Sequence, residues 1–262
     1  MPRLLLIDAL NLIRRIHAAV PAPDENSQVD GALSATLSSL MRALKQCQPS
    51  HALVVFDGDP PTWRHKLFPA YKSQRKPMPE ALRSRLTEFN LLFRNNGIMT
   101  FRRNGIEADD IIAVITLKAI RANISTTILS TDKIYRQLLE SPLVTLRDHF
   151  HQTDTLRESI ETELSLKPEQ LVDFWAMAGI GDIPGVTGIG EKGAQKLLQE
   201  HGSLNQIMAY EGEAEEVKGA LAKVLQQKEQ AQLSKKLASL QEGMDLGISL
   251  KDMRYRGHEK AE

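Results

Sequence analysis

The chain has 262 residues, 42% apolar and 25% charged, an ordinary balance for a soluble globular protein and enough for one large α/β domain or a catalytic domain with a smaller companion. No apolar run approaches the roughly 20 residues of a bilayer span, and Asp8 interrupts the first run too early for a signal-peptide core, so no membrane association is expected and the cytoplasm is the expected compartment. Cys47 is the only cysteine, which excludes an intrachain disulfide and a thiolate metal cluster and reads as an inert helical thiol.

Residues 4–7 (LLLI) and 52–56 (ALVVF) are short apolar runs, each closing on an aspartate, Asp8 and Asp57. A third, 126–129 (TTIL), leads through Ser130 and Thr131 to Asp132, and 144–146 predicts a further strand. Segments 33–46 and 108–122 between them carry the apolar spacing of helices. Runs of this kind separated by helices predict βαβ units and an open parallel sheet. The functional crevice of such a sheet lies at the carboxyl ends of its strands, where Asp8, Asp57 and Asp132 fall.

Past about residue 155 the character changes. Helices are predicted over 168–178 and 192–201 with a glycine-rich turn, 185–190 (GVTGIG), between them. A polar helical stretch follows at 213–242, then a short strand at 253–256 and a frayed end at 257–262. The organisation expected is an α/β domain over 1–155, a helical region over 156–250 and a tail over 251–262.

Lysine plus arginine and aspartate plus glutamate number 33 each, so net charge is zero, but its distribution is uneven. Residues 61–103 hold ten basic residues (Arg64, Lys66, Lys72, Arg75, Lys76, Arg83, Arg85, Arg94, Arg102, Arg103) against Glu80 and Glu88 alone. Such a segment is drawn to a polyanion. A charge run is more often a solvated face, so this one needs support from chemistry elsewhere.

Glu107, Ala108, Asp109 and Asp110 open a helix, where capping and the helix dipole favour acids. Capping accounts for one or two of them. It does not account for Asp8, Asp57 and Asp132 converging on the same crevice. Six gathered carboxylates repel one another unless cations neutralise them, and an all-oxygen set without His or Cys suits Mg²⁺, with Mn²⁺ as a substitute. Carboxylate-held magnesium is apparatus for hydrolysing phosphodiesters.

Gly188-Ile189-Gly190-Glu191-Lys192-Gly193 matches G-x-G-x-x-G, but a helical neighbourhood and Pro184-Gly185 replace the strand that a dinucleotide fingerprint requires, so no nucleotide cofactor is expected. The better reading is a helical hairpin that offers backbone N–H groups and a helix N-terminus to a DNA phosphate, with Lys192 adding charge. Asp57-Gly58-Asp59 resembles a phosphatase D-x-D without its downstream threonine. His149 and His151 read as a solvated pair, and Trp63 and Trp175 as packing residues.

Taken in order, 4–8 (LLLID) with Asn11, Leu12 and Arg15, Val54-Val55-Phe56-Asp57, Trp63-Arg64-His65, 71–79 (YKSQRKPMP), Glu107-Ala108-Asp109-Asp110, Thr131-Asp132-Lys133 and 183–192 (IPGVTGIGEK) resemble the bacterial 5′ nuclease family. That family comprises the 5′→3′ exonuclease domain of type I DNA polymerases and the stand-alone flap endonucleases. The resemblance runs from Leu4 to about Gln241. It implies a PIN-like α/β nuclease domain with a helical arch at about 70–100 and a C-terminal helix-three-turn-helix DNA clamp. It implies a structure-selective 5′ flap endonuclease, expected as a monomer, acting on DNA with 5′ flaps or single-stranded 5′ ends. Asp8, Asp57, Glu107, Asp109 and Asp110 would form a first Mg²⁺ site, Asp109 foremost, with Asp132 left to a second. Lys72 and Arg75, with Arg15, would steer the scissile phosphate, and the basic 61–103 segment would serve the arch and a single-strand channel. A potassium ion at the hairpin would take backbone carbonyls of Met177, Ala178, Pro184, Val186 and Ile189.

Two departures stand out. Ile134 replaces the second acid of the family's Ala-Asp-Lys-Asp, and the 178–182 stretch is about two residues short, keeping only Asp182. Weak or absent exonuclease activity is the expectation. The alternatives are a module that clamps branched DNA with little catalysis and a PIN-like ribonuclease.

Overall fold

The computed structural model describes residues 2–212 and 217–257. β1 (Arg3–Asp8) opens the chain and passes directly into α1 (Ala9–Ala19), because the Asp8 side chain accepts from Asn11 N–H and caps the helix. After α2 (Glu25–Cys47), β2 (His51–Val55) pairs parallel with β1. The basic segment then forms α3 (Trp63–Leu67), a run of turns at 69–74, α4 (Glu80–Ser84) and α5 (Leu86–Asn95) before β3 (Met99–Phe101) joins β2. α6 (Ala108–Arg121) leads to β4 (Ser125–Leu129) on the other side of β1, and a 3-10 helix (Lys133–Glu140) leads to β5 (Val144–Asp148). β6 (Thr153–Thr155) turns back antiparallel, closing a sheet of order β3-β2-β1-β4-β5-β6.

Burial on both sheet faces explains the apolar runs. Leu4 and Leu6 face a core shared with Leu53, Val55, Ile128 and the α6 residues Ile111, Ile112 and Ile115. Leu5 and Ile7 face a second core with Val54, Val29 and Leu40 of α2, and Phe89 and Phe93 of α5. Each such side chain, removed from water, contributes about 1.5–3 kcal/mol of transfer free energy.

The remaining helices are α7 (Arg157–Leu164), α8 (Leu171–Ala178), α9 (Glu191–His201), α10 (Leu204–Met208), α11 (Gly219–Gln226) and α12 (Lys228–Ala238). They continue the α6 face of the core without a break, through Trp175, Leu197, Val224 and Leu237. Asp173 of α8 ties them together: it accepts from Leu204 N–H and pairs with Lys235 at 2.6 Å.

Several expectations need correction. β3 and β6 were not foreseen. The predicted strand at 253–256 is one bridge, His51 to Arg254, after a 3-10 turn (Leu250–Met253). The polar stretch at 213–242 breaks into α11 and α12, with 213–216 outside the described residues, as are 258–262 of the frayed end. Within the 70–100 segment, Tyr71, Lys72 and Arg75 line a cavity with Asp8 and Asp57, while α4 and α5 bury Leu82, Phe89 and Phe93 against α2 and the sheet. No helix among the described residues is long and apolar enough to cross a membrane.

Candidate active site

β1 is flanked by β2 on one side and β4 on the other, so three strand ends open on one crevice. A cavity of about 290 Å³ lies there, lined by Asp8, Asp57, Asp109, Asp132 and Asp182, with Arg15, Lys72 and Arg75 among them. Asp8 is buried; its carboxylate also accepts from Ser130 Oγ and Tyr135 Oη, both at 3.2 Å. Burial, then the charges of Asp57 and Asp132, push its pKa up to about 7. Asp57, just past the end of β2, accepts from Ala108 N–H at 2.7 Å and so caps α6. Asp132 accepts from Ile134 N–H at 2.9 Å, and the Ile134 side chain supplies an apolar piece of wall.

The acids of α6 divide into two groups. Glu107 and Asp110 are buried behind the cavity wall, while Asp109 reaches into the cavity. One oxygen from each of the three lies within 4.8 Å of the others. Burial opposes charge on Glu107, but Lys72 and Arg64 outweigh it and hold the carboxyl below its usual range. Burial raises the Asp109 carboxyl well above that range, Arg64 opposing and Asp110 and Glu107 reinforcing.

Asp110 is fully enclosed and accepts from Arg64 at 3.0 and 3.1 Å, Trp63 Nε1 at 2.7 Å and Gln241 N–H at 2.9 Å. Trp63 is therefore a hydrogen-bond donor to the acid cluster as well as a packing residue. Arg64 was missed altogether. Its charge looked like that of nine neighbours in the basic segment, and the only signal was its place in the Trp63-Arg64-His65 motif.

Among the expected phosphate-steering residues, Lys72 bonds Glu107, lies 5.1 Å over the Tyr71 ring and holds a left-handed φ of +58°. A non-glycine residue kept in that backbone conformation is over-determined by its surroundings. Arg75 pairs with Asp182 at 2.6 Å. Arg15 stacks on Phe150, with its guanidinium carbon 4.6 Å from the ring centre. The histidine pair is not solvated as expected: His149 is buried beneath Phe150, and only His151 is exposed, bonded to Asp148 at 2.8 Å. Among the described residues, neither belongs to a metal-binding group.

The glycine turn is a hairpin between α8 and α9. Val186 N–H donates to the Met177 carbonyl at 2.8 Å, and a Cβ on Gly185 would stand 2.4 Å from that oxygen. The tip is braced by Lys223, which donates to the Gly188 carbonyl at 2.8 Å, and by Gln227, which bonds both backbone groups of Thr187. Gly188, Gly190, Glu191 and Lys192 are exposed at the start of α9, Gly193 is half-buried and Ile189 is buried. The residues named for potassium, Met177, Ala178, Pro184, Val186 and Ile189, all lie on this hairpin, and the Val186 carbonyl already accepts from Ile189 N–H at 3.1 Å.

A sheet edge with gathered acids, joined to a braced helical hairpin, has clear counterparts. Residues 3–167 match the model of the 5′-3′ exonuclease N-terminal resolvase-like domain, and 166–261 match that of the 5′-3′ exonuclease C-terminal SAM fold. The chain belongs to the 5′-3′ exonuclease family. It is 41% identical to the flap endonuclease Xni of Photobacterium profundum over 257 residues, covering 96% of each chain. To the protein of that name from Psychromonas ingrahamii it is 40% identical over 259 residues, covering 96% of this chain and 97% of the relative. The fold is that of the T5 D15 protein co-crystallised with metal ions, with a TM-score of 0.76 and 21% identity over 90% of this chain and 89% of that one. The catalytic core of Rad2 in complex with DNA substrate also aligns, at a TM-score of 0.56 and 18% identity over 90% and 72% of the respective chains. This member of the 5′-3′ exonuclease family is thus a nuclease, with its acid cluster at the sheet edge.

Proposed function

We propose that this nuclease is a Mg²⁺-dependent, structure-selective endonuclease that hydrolyses phosphodiester bonds in DNA bearing 5′ flaps or single-stranded 5′ ends, with little or no exonucleolytic trimming. The observation that carries the reading is the cavity toward which Asp8, Asp57, Asp109 and Asp132 converge beneath Lys72, Arg75 and Arg15. Relatives named flap endonuclease Xni, aligned over nearly their whole length, support the choice of substrate.

The donor set fits a hard divalent cation. Every candidate ligand is a carboxylate oxygen, and none of Asp8, Asp57 and Asp132 is taken up in a salt bridge among the described residues. Asp8, Asp57 and Asp109 would hold the first Mg²⁺ with Glu107 and Asp110 behind them; Asp132 would remain for a second. Magnesium supplies, when bound, a lowered pKa for the attacking water and compensation of charge on the leaving oxygen. The chain's own groups position the strand. Arg75 and Arg15 flank the cavity as donors to a phosphate, and Lys72 holds Glu107 ionised while standing at the same rim. The hairpin from Gly188 to Gly193 presents N–H groups and Lys192 to the duplex backbone, and its carbonyls would hold K⁺. Ile134 in the cavity wall and Asp182 tied to Arg75 support weak trimming, since both leave a second ion few ligands.

The test is incubation with a labelled 5′-flap substrate and Mg²⁺, beside an Asp109→Ala variant. Absence of a metal-dependent cut, or an equal cut by the variant, overturns the reading.

A further inference from the structure

Arg64 is buried in the wall of the site, and no part of the proposed chemistry uses it. Its side chain is 1% exposed, yet every N–H of the guanidinium has an acceptor. Nη1 donates to Glu107 at 2.5 Å and Asp110 at 3.0 Å, and Nη2 to Asp110 at 3.1 Å. Nε reaches the Leu237 carbonyl at 2.9 Å and Nη2 the Ser239 carbonyl at 3.4 Å. Asp109 receives only a long contact, 3.4 Å from Nη1. The ring of Trp63 lies 4.6 Å below the guanidinium and donates its own N–H to Asp110.

The acceptors belong to two parts of the chain. Glu107 and Asp110 begin α6 in the sheet layer. Leu237 and Ser239 end α12, which packs on α8, the helix that carries the hairpin. The 237–241 segment is read alternately from two sides: Arg64 and Asp110 engage 237, 239 and 241, and Gln137 engages Ala238 and Leu240.

We propose that Arg64 is a positioning residue: a built-in cation that withdraws Glu107 and Asp110 from metal binding, leaves Asp109 to face the cavity, and fastens the end of the helical region to the metal-bearing helix. The division of labour follows from geometry. A bidentate fork on Asp110, completed by Trp63 and Gln241, occupies that carboxylate on all sides, whereas Asp109 meets only Nη1, whose two N–H groups already have nearer acceptors in Glu107 and Asp110. A monovalent cation fixed by the chain then does for two of the acids what a divalent ion does for the others. The carbonyls of Leu237 and Ser239 mean that any shift of α12 is felt at the guanidinium, and through it at α6.

The idea rests on the metal-dependent reading above, so its test has an arm that does not. Mn²⁺ binding to the DNA-free protein is measured by calorimetry for wild type, Arg64→Lys and Arg64→Gln, with folded fraction checked by circular dichroism. Arg64→Gln removes the competing cation and is expected to bind Mn²⁺ more tightly, or in greater number, than wild type. Arg64→Lys keeps the charge without the fork, so it is expected to bind Mn²⁺ within about threefold of wild type while kcat on flapped DNA falls at least about tenfold with KM little changed. A residue that merely holds the fold together would lower thermal stability without tightening metal binding or separating kcat from KM. Unchanged or weaker Mn²⁺ binding by a folded Arg64→Gln, or wild-type kcat in Arg64→Lys, overturns the proposal. Should Arg64→Gln fail to fold, the kcat of Arg64→Lys decides. A wild type that binds Mn²⁺ yet cuts no flapped DNA fails the proposed function, and the Mn²⁺ comparison still decides the role of Arg64.

Discussion

Arg75 and Asp182 meet at 2.6 Å across the mouth of the cavity and join the turns over the sheet edge to the helical hairpin. Sequence placed them in different roles, Arg75 for a phosphate and Asp182 as the remnant of a metal site. In the fold each is the other's partner. Arg75 is 47% exposed, so the pair contributes less than about 1 kcal/mol to stability. Its consequence is occupancy: a guanidinium held by a carboxylate must leave it to reach a phosphate. Asp182→Asn is therefore expected to lower KM for flapped DNA about two- to fivefold with kcat nearly unchanged, and Arg75→Ala to raise KM about tenfold. Steady-state kinetics in Mg²⁺ separates this from metal ligation by Asp182, which would appear as a large fall in kcat for Asp182→Asn.

Asp8 predicts how the metal-free protein responds to pH. Burial and the charges of Asp57 and Asp132 push its carboxyl from 3.8 up to about 7. A proton bound more tightly in the fold than in the unfolded chain contributes stability that is fully present below pH 3.8 and is lost as pH rises through about 7. Asp109, raised for the same first reason, acts in the same direction, while Glu107, held low, acts oppositely but only in more acidic solution. Urea unfolding in the presence of a chelator should give a stability about 2 kcal/mol lower at about pH 7.5 than at about pH 5.5, and Mg²⁺ should restore it at the higher value. Equal stability at both, with and without Mg²⁺, would refute this.

What could be read from sequence follows from range of interaction. Asp8, Asp57 and Asp132 were legible because each ends an apolar run, and a buried parallel strand dictates where its end lies. β3 was not, since Met-Thr-Phe is three half-buried residues whose pairing depends on β2. β6 is polar and short, an edge strand stabilised by the Arg147–Asp154 pair rather than by burial. Arg64 was illegible for another reason. Its partners lie 43, 45 and 46 residues away at the start of α6 and 173 and 175 away at the end of α12, and no local pattern reports such a convergence.

Asp109 and Asp110 are adjacent in sequence and should respond oppositely to loss of charge. Asp110→Asn leaves Arg64 buried without its bidentate partner, which costs about 3–5 kcal/mol. Asp109→Asn removes a carboxylate that burial already disfavours and keeps an oxygen for the Asp110 N–H, so stability should change by less than about 1 kcal/mol. Flap cleavage should be abolished by Asp109→Asn although the protein remains folded. Chemical denaturation with parallel cleavage assays checks both. Destabilisation of the two variants to the same extent would show that the carboxylates share one role.

The hairpin can be tested through its glycines, because two of them differ in what a methyl group would meet. At Gly185 a Cβ would stand 2.4 Å from the Met177 carbonyl oxygen and 2.5 Å from Gly179 N, both backbone atoms that cannot swing aside. At Gly190 it would meet nothing within 4 Å among the described residues, and φ is an ordinary −103°. Gly185→Ala must therefore push α8 and the turn apart, breaking the Val186 to Met177 hydrogen bond that brings the start of α9 into position. Affinity for branched DNA, measured with Ca²⁺ in place of Mg²⁺ to suppress cutting, is expected to fall at least about tenfold for Gly185→Ala. Gly190→Ala should stay within about threefold of wild type. Since phosphate contacts release counterions, Lys192→Ala should weaken binding at low salt and flatten its salt dependence by about one ion. Wild-type affinity in Gly185→Ala would remove the hairpin from the DNA interface, whatever the fate of the acids at the sheet edge.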